Sequence, residues 1–199
     1  MKIAAITRVF VIGLLFASVR LASANLIVNG DFETGNFSGW TTTPAGDGGS
    51  NYGVDGNPNS GSAAAYFGAV GTDLDAISQT FATTPGTFYD LSFWLANRFA
   101  GRTPDNEFRV TFGGVTELDL IDSPTFAYTQ FNFSVLAAGS SLTLEFAGRN
   151  PPDFYFLDDI SVEARAAGVP DSGSSLAVLT IGLTGLLLFQ RAFGWRRLA

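Results

Sequence analysis

The 199 residues contain no cysteine, no histidine and a single lysine, Lys2. Without thiols there is no disulfide, no thiolate nucleophile and no cysteine-based zinc site. Without imidazole there is no Ser-His-Asp or Cys-His catalysis, no histidine-ligated zinc and no ordinary general base near neutral pH. No glycine-rich phosphate cradle precedes a helical pattern. Positive charge is scarce where it would matter most. Between Asn25 and Gly168 five arginines (Arg98, Arg102, Arg109, Arg149 and Arg165) stand against 17 acidic residues, a formal charge of −12. Such a segment repels nucleic acid, so no nucleic-acid partner is expected. Its acidity suits solubility or divalent cations, and a solvated acidic face is the simplest account of it.

What is present is aromatic and glycine-rich: 14% aromatic residues, among them 19 Phe, beside 23 Gly. That balance predicts an all-β chain with many turns. An opening strand is expected within Asn25 to Trp40, followed by a long loop, Thr41 to Ser62, almost free of large apolar residues. Extended segments follow at Ala63 to Phe67, Ala76 to Phe81, Phe88 to Ala96, Glu107 to Phe112, Phe126 to Val135, Leu142 to Ala147 and Phe154 to Glu163, separated by Gly, Pro, Asn or Asp. Several alternate cleanly, for example Tyr89, Leu91, Phe93 and Leu95. Eight short strands without a Cys…Trp…Cys pattern point to a two-sheet antiparallel jelly-roll sandwich in preference to an immunoglobulin sandwich.

Long apolar runs occur only at the two ends. Residues 1–24 read as a Sec signal peptide: Lys2 and Arg8 lead, Val9 to Val19 is apolar, and Ala22-Ser23-Ala24 offers small residues for signal peptidase, so that the mature chain would begin at Asn25. An uncleaved anchor is the alternative, and either exports the domain of residues 25–168. At the other end, Val169-Pro170-Asp171-Ser172-Gly173 is a helix-breaking turn. Residues 174–190 follow without a charge, and Arg191, Arg196 and Arg197 come next. Seventeen residues approach the ~20 needed to span a hydrocarbon core, and the arginines would hold the C-terminus in the cytoplasm. A packed soluble helix is the other reading of that run. Turn, apolar helix and basic stop together resemble the tripartite C-terminal sorting signals of Gram-negative bacteria, in the variant marked by Val-Pro-Asp-Ser-Gly. The resemblance covers residues 169–199 and implies an exosortase partner that cuts near the motif and passes the protein to the cell surface or extracellular matrix.

Within the domain, VNGDFETG-x-x-SGW (Val28 to Trp40), SQTFATTPGTFYDLSFWLAN (Ser78 to Asn97) and FYFLDDISVEA (Phe154 to Ala164) resemble the galactose-binding-like jelly rolls, which include carbohydrate-binding modules. The resemblance implies a fold and, in many such modules, a structural calcium ion between the first turn and a late-strand aspartate, here Asp31, Glu33 and Asp158. Strict alternation on the last strand puts Phe156, Asp158, Ile160 and Val162 on one face. A carboxylate there needs backbone donors, an arginine or a cation.

Trp94, Asn97, Arg98, Phe99 and Tyr52 are residue types that bind sugars, because flat rings stack on pyranose faces while amides and guanidinium groups take hydroxyls. They are equally ordinary core residues. Trp94 falls opposite Leu91 and Phe93 in parity, and Trp40 closes a turn as a packing residue. Glycoside hydrolysis would need two carboxylates of different pKa. Asp158-Asp159, Asp73-Asp75, Asp119-Asp122 and Asp105-Glu107 qualify by proximity alone, and no arrangement singles one out. The chain therefore reads as a non-enzymatic exported protein whose ectodomain has a polysaccharide as its candidate ligand. A carbohydrate-active enzyme and a purely structural matrix protein are the alternatives.

Overall fold

A computed structural model describes residues 24–98 and 106–165. Ten strands form in chain order: β1 Thr41–Thr43, β2 Tyr52–Asp55, β3 Ala64–Phe67, β4 Asp75–Ala82, β5 Phe88–Asn97, β6 Glu107–Phe112, β7 Val115–Ile121, β8 Phe126–Leu136, β9 Ser141–Arg149 and β10 Tyr155–Ala164. One sheet has the order β1-β4-β9-β6-β7 and the other β2-β3-β10-β5-β8, with every neighbouring pair antiparallel. The described residues contain no helix, and none therefore that could cross a membrane. The expected sorting motif, the 174–190 helix, the terminal arginines, Ala22 and Phe99 lie outside the described residues. Ala24 and Asn25 are exposed at the start of the described chain.

The alternating apolar positions read from the sequence meet between the sheets. Leu91, Phe93 and Leu95 of β5 face Val110, Phe112, Leu144 and Phe146 across a single core. Phe93 meets Phe146 edge-on at 5.1 Å and stacks on Phe131 at 5.5 Å, while Phe108 lies 5.1 Å from Tyr155. Each fully buried ring removes enough apolar surface to contribute about 1.5–3 kcal/mol, so a core this rich in Phe needs no covalent staple.

Seven of the eight expected strands form, with ends shifted by a few residues. The departures lie at the edges and the opening. β1 and β2 arise inside the stretch expected to be loop, and β7 was not expected at all. β1 is exposed throughout and β7 carries Glu117 and Asp119. None of the three missed strands has a fully buried residue, so little apolar alternation is imposed, and the charges of β7 discourage further pairing. The opening segment, in turn, forms no regular strand. It runs beside β10 beyond the end of the short β3: the Leu26 amide donates to the Val162 carbonyl at 2.8 Å, and the Ile160 amide to the Gly30 carbonyl at 2.9 Å. The Asn25 side chain completes the seam, donating to the Ile160 carbonyl and accepting from the Val162 amide. Across the sandwich, Gln79 of β4 both accepts from and donates to the backbone of Val28. The segment thus ties the two sheets together.

Strict alternation on β10 is also corrected. The pairing with β5 shifts register between Asp158 and Ser161, and Asp159 has φ +50°. This bulge inserts one residue, so Tyr155, Leu157, Ile160 and Val162 point into the core while Phe156 and Asp158 lie on the outer face.

The seam allows a test of the opening segment. A Cβ on Gly30 would overlap the Ile160 carbonyl oxygen. Gly30→Ala is expected to destabilise the domain by about 2 kcal/mol or more, measured as a fall in denaturation midpoint. An unchanged midpoint would mean that the segment does not close against β10.

Candidate functional site

The register of the inner strands places rows of residues on the outer face of the β2-β3-β10-β5-β8 sheet. Phe156 stands between Tyr66 and Ala96, and Asp158 beside Trp94, which in turn faces Gln130. At the end of this face where β5 finishes and β8 begins, Asn97, Arg98, Thr125, Phe126, Ala127 and Tyr128 line an open cleft of about 560 Å³. Arg98 is its centrepiece. The guanidinium carbon sits 5.2 Å from the Phe156 ring centroid and 5.5 Å from that of Tyr128, within cation–π range of both. One of its N–H groups donates to Asn57 Oδ1 at 3.0 Å, and the Tyr128 hydroxyl donates to the Asn57 carbonyl at 2.7 Å. Asn57 therefore fixes both residues. Burial, and secondarily the nearby Asp158 charge, raises the Tyr128 phenol well above its ordinary value, so it remains a neutral donor.

The cleft's rim is anchored from below by a buried amide network. Asn97 donates to the Ser123 and Pro124 carbonyls and accepts from Asn150, while Asn106 exchanges hydrogen bonds with the Ser123 backbone and accepts from the Tyr155 hydroxyl at 2.6 Å. Residues 123–125 are thereby pinned beside Arg98.

The loop that carries Asn57 is held by Asp158. That carboxylate is fully buried. Oδ2 accepts the Asn59 and Ser60 amides at 2.8 and 3.1 Å, and Oδ1 accepts the Asp159 amide at 2.8 Å. Asp159 accepts from the side chains of the same two loop residues. Glu33 accepts the Ser62 and Ala63 amides through a single oxygen, and Asp31 accepts the amide of Glu33. Asp158 thus accepts amide hydrogens through both oxygens, and Asp31 and Glu33 through one oxygen each. Among the described residues no group of three or more His, Cys, Asp or Glu is placed to hold a metal ion. As arranged, the three do not fit the calcium site that the family resemblance implies, and backbone donors supply the compensation Asp158 requires.

Of the sugar-type residues, the structure brings Arg98 and Asn97 to the cleft and leaves Trp94 half-buried on the same sheet face, one row away. Asn97 is fully buried and its amide is consumed by the network. Tyr52 is not part of the cleft: it stacks on Phe37 at 5.6 Å and packs against the core. Trp40 is buried against Phe32, as expected of a packing residue. The residues that sequence reading missed are Asn57, Tyr128 and Phe156. Asn57 sat in a featureless loop and the two aromatics resembled core positions, so no local signal distinguished them.

No protein-family model matches the chain, and no curated protein matches it. Solved structures share the fold. TmCBM61, in complex with beta-1,4-galactotriose, is 17% identical with a TM-score of 0.52, over 72% of this chain and 100% of that one. The K3 cleaved adhesin domain of Lys-gingipain from Porphyromonas gingivalis W83 is 17% identical with a TM-score of 0.53, over 71% and 98%. The enzymatically active domain of bacteriophage CBA120 tailspike protein 4 is 15% identical with a TM-score of 0.53, over 71% of this chain but 21% of the tailspike chain. At these identities the likeness establishes the jelly-roll fold, shared with a carbohydrate-binding module, and not a ligand.

Asp158 gives the site a pH signature. Burial pushes its carboxyl up to about 6, against the amide bonds from Ser60, Asp159 and Asn59 that pull it down. Because the folded value is raised, the native state keeps a proton that the unfolded chain releases near pH 4. The stability this group contributes is full below about pH 4 and is lost as pH rises through about 6. Asp158→Asn is expected to flatten that slope in denaturant melts from acid to neutral pH. It should also lower neutral-pH stability by about 1–3 kcal/mol, because its NH2 confronts an amide donor. Melting should not differ between chelator and millimolar calcium. A slope that persists in the variant would assign the titration to another group.

Proposed function

We propose that this chain is an exported, non-enzymatic protein whose jelly-roll ectodomain binds carbohydrate at the Arg98 cleft. The observation that carries the proposal is the placement of the Arg98 guanidinium against two aromatic rings in an open cleft, with Asn57 engaging one of its nitrogens. A guanidinium has five N–H donors in a rigid fork. Its remaining donors can meet sugar hydroxyls, and the half-buried rings of Tyr128 and Phe126 that line the cleft supply apolar surface for C–H faces. The shared fold with TmCBM61, solved with beta-1,4-galactotriose, makes β-linked galactan the first glycan to try.

A non-catalytic role is the better reading of the carboxylates. Asp158 is committed to the 59–60 loop, and Asp75 accepts from Ala45, Ser50 and Asn51. Two of the four neighbouring acid pairs therefore each have a member spent on loop anchoring. Export and sorting follow from the sequence at each end. Sec and signal peptidase would act on residues 1–24, and an exosortase would act at Val169 to Gly173, with residues 174–190 and the arginines as a transient anchor.

Two experiments test these readings. On a glycan array and in affinity electrophoresis, Arg98→Ala and Tyr128→Ala are expected to weaken binding at least tenfold with the fold intact, equivalent to about 1.4 kcal/mol or more. Trp94→Ala should weaken it less, being one row away. Absence of any bound glycan would leave a structural matrix protein, and release of sugar from a polysaccharide would indicate an enzyme. Deleting Val169 to Ala199 should convert a membrane-associated, processed protein into a soluble secreted one in cell fractionation. Retention and processing unchanged by the deletion would overturn the sorting proposal.

A further inference from the structure

The two poles of the sandwich differ in charge. At the pole where β4, β6 and β8 end, three connections close the strands: Thr83 to Thr87, Gly113-Gly114 and Ala137 to Ser140. They are knitted together, with Gly86 donating to the Ala137 carbonyl, Ala137 to Thr87, Thr83 to Ser140 and Gly113 to Thr143. None of these residues is charged. In a domain of net charge −12 that is a marked exception. The same pole exposes three large apolar side chains, Phe88 at 43%, Leu136 at 51% and Val115 at 55%, with Phe88 and Leu136 paired across β5 and β8. The charges nearest to it stand on or just beyond the strands: Asp90 and Arg165, which pair with each other, together with Glu117 and Glu163. The opposite pole carries Arg98, Asp122, Asp153 and Asp73 in its connections, and the cleft; it also exposes Val70 and Ile121, so it is charge that separates the two poles.

The chain leaves the domain at the uncharged pole. Arg165 follows β10, donates its amide to the Phe88 carbonyl at 2.7 Å and holds its guanidinium 5.3 Å from the Phe88 ring. The apolar run begins at Leu176. The ten residues from Ala166 to Ser175 reach at most about 35 Å when fully extended. Asn97 lies at the far end of β5, whose ten residues set the cleft back by a further ~30 Å.

We infer that the pole bearing Phe88, Val115 and Leu136 is the face this domain turns to the lipid surface while its tail holds it at the membrane, so that the Arg98 cleft is presented outward. The inference rests on the reading of the tail as a membrane anchor. A lipid surface fits this face for two reasons. A strongly acidic domain is repelled by anionic headgroups, so it approaches with least repulsion through its uncharged end. Exposed Phe, Leu and Val side chains at that end can enter the interfacial region. The orientation separates the two tasks of the protein, with attachment at one end of β5 and capture of a polymer at the other.

The absence of native cysteine allows a clean test in the full-length chain. Leu136→Cys and Ala127→Cys, one at each pole, are labelled with the same fluorophore and reconstituted into phosphatidylethanolamine vesicles containing phosphatidylglycerol and a headgroup-attached quencher. Strong quenching at position 136 and weak quenching at 127 is the expected result. Equal quenching, or stronger quenching at 127, with the protein floating on the vesicles, would overturn the orientation and leave the anchor reading standing. Failure to float would remove the anchor and the orientation with it. Disulfide-linked dimers of unlabelled Leu136→Cys on the vesicles would identify a second copy as the occupant of this pole and overturn the proposal.

Discussion

The bulge in β10 is the constraint on which the rest of the site depends. One inserted residue, with Asp159 at φ +50°, lets a central strand keep Tyr155, Leu157, Ile160 and Val162 in the core while turning Asp158 to the other face. There the carboxylate is buried and must be satisfied, and the amides of Asn59 and Ser60 satisfy it. An isolated buried carboxylate would be costly, so this loop cannot leave without a penalty. The loop in turn sets Asn57, and Asn57 sets Arg98 and Tyr128. A backbone irregularity in one strand thereby orders the cleft through a chain of hydrogen bonds.

The opening segment has a comparable part in the sandwich. β3 pairs with β10 only from Tyr155 to Leu157. Beyond it, Asn25 to Gly30 takes over the exposed side of β10, and Gln79 joins the same segment to the other sheet. Neither partner of such a seam is stable alone: the segment has no ladder of its own, and β10 without it would present unpaired polar groups beside the core. Phe32 and Trp40, stacked just after the segment, bury its turn against Phe146.

A division by poles follows from antiparallel topology. β5, β8 and β10 all run the length of one sheet, so features at their two ends are kept apart by the strands themselves. The carboxylate anchors and the amide network gather where loops are long and must be held. The tight connections at the other end are closed by backbone bonds and have no need of charged side chains.

Seven strands, the edge strand β8 among them, were legible in the sequence, because each packs one face against the core, and that burial writes an alternation such as Leu91, Phe93, Leu95 into the chain. β1, β2 and β7 were not, since an edge strand such as Thr41–Thr43 owes its conformation to its partner, here Ala76 to Ser78, and carries no apolar period of its own. Arg98 could be singled out by residue type, whereas Asn57, 41 residues away, and Tyr128, 71 residues from Asn57, could not be connected to it locally. By itself the sequence determined the β class, the central strands and the exclusion of thiol and imidazole chemistry, all of which depend on composition and on short-range periodicity. Only the tertiary structure decided which face Asp158 occupies and which residues meet in the cleft. A single inserted residue reverses the parity of everything after it, and hydrogen bonds between distant loops leave no trace in the local pattern.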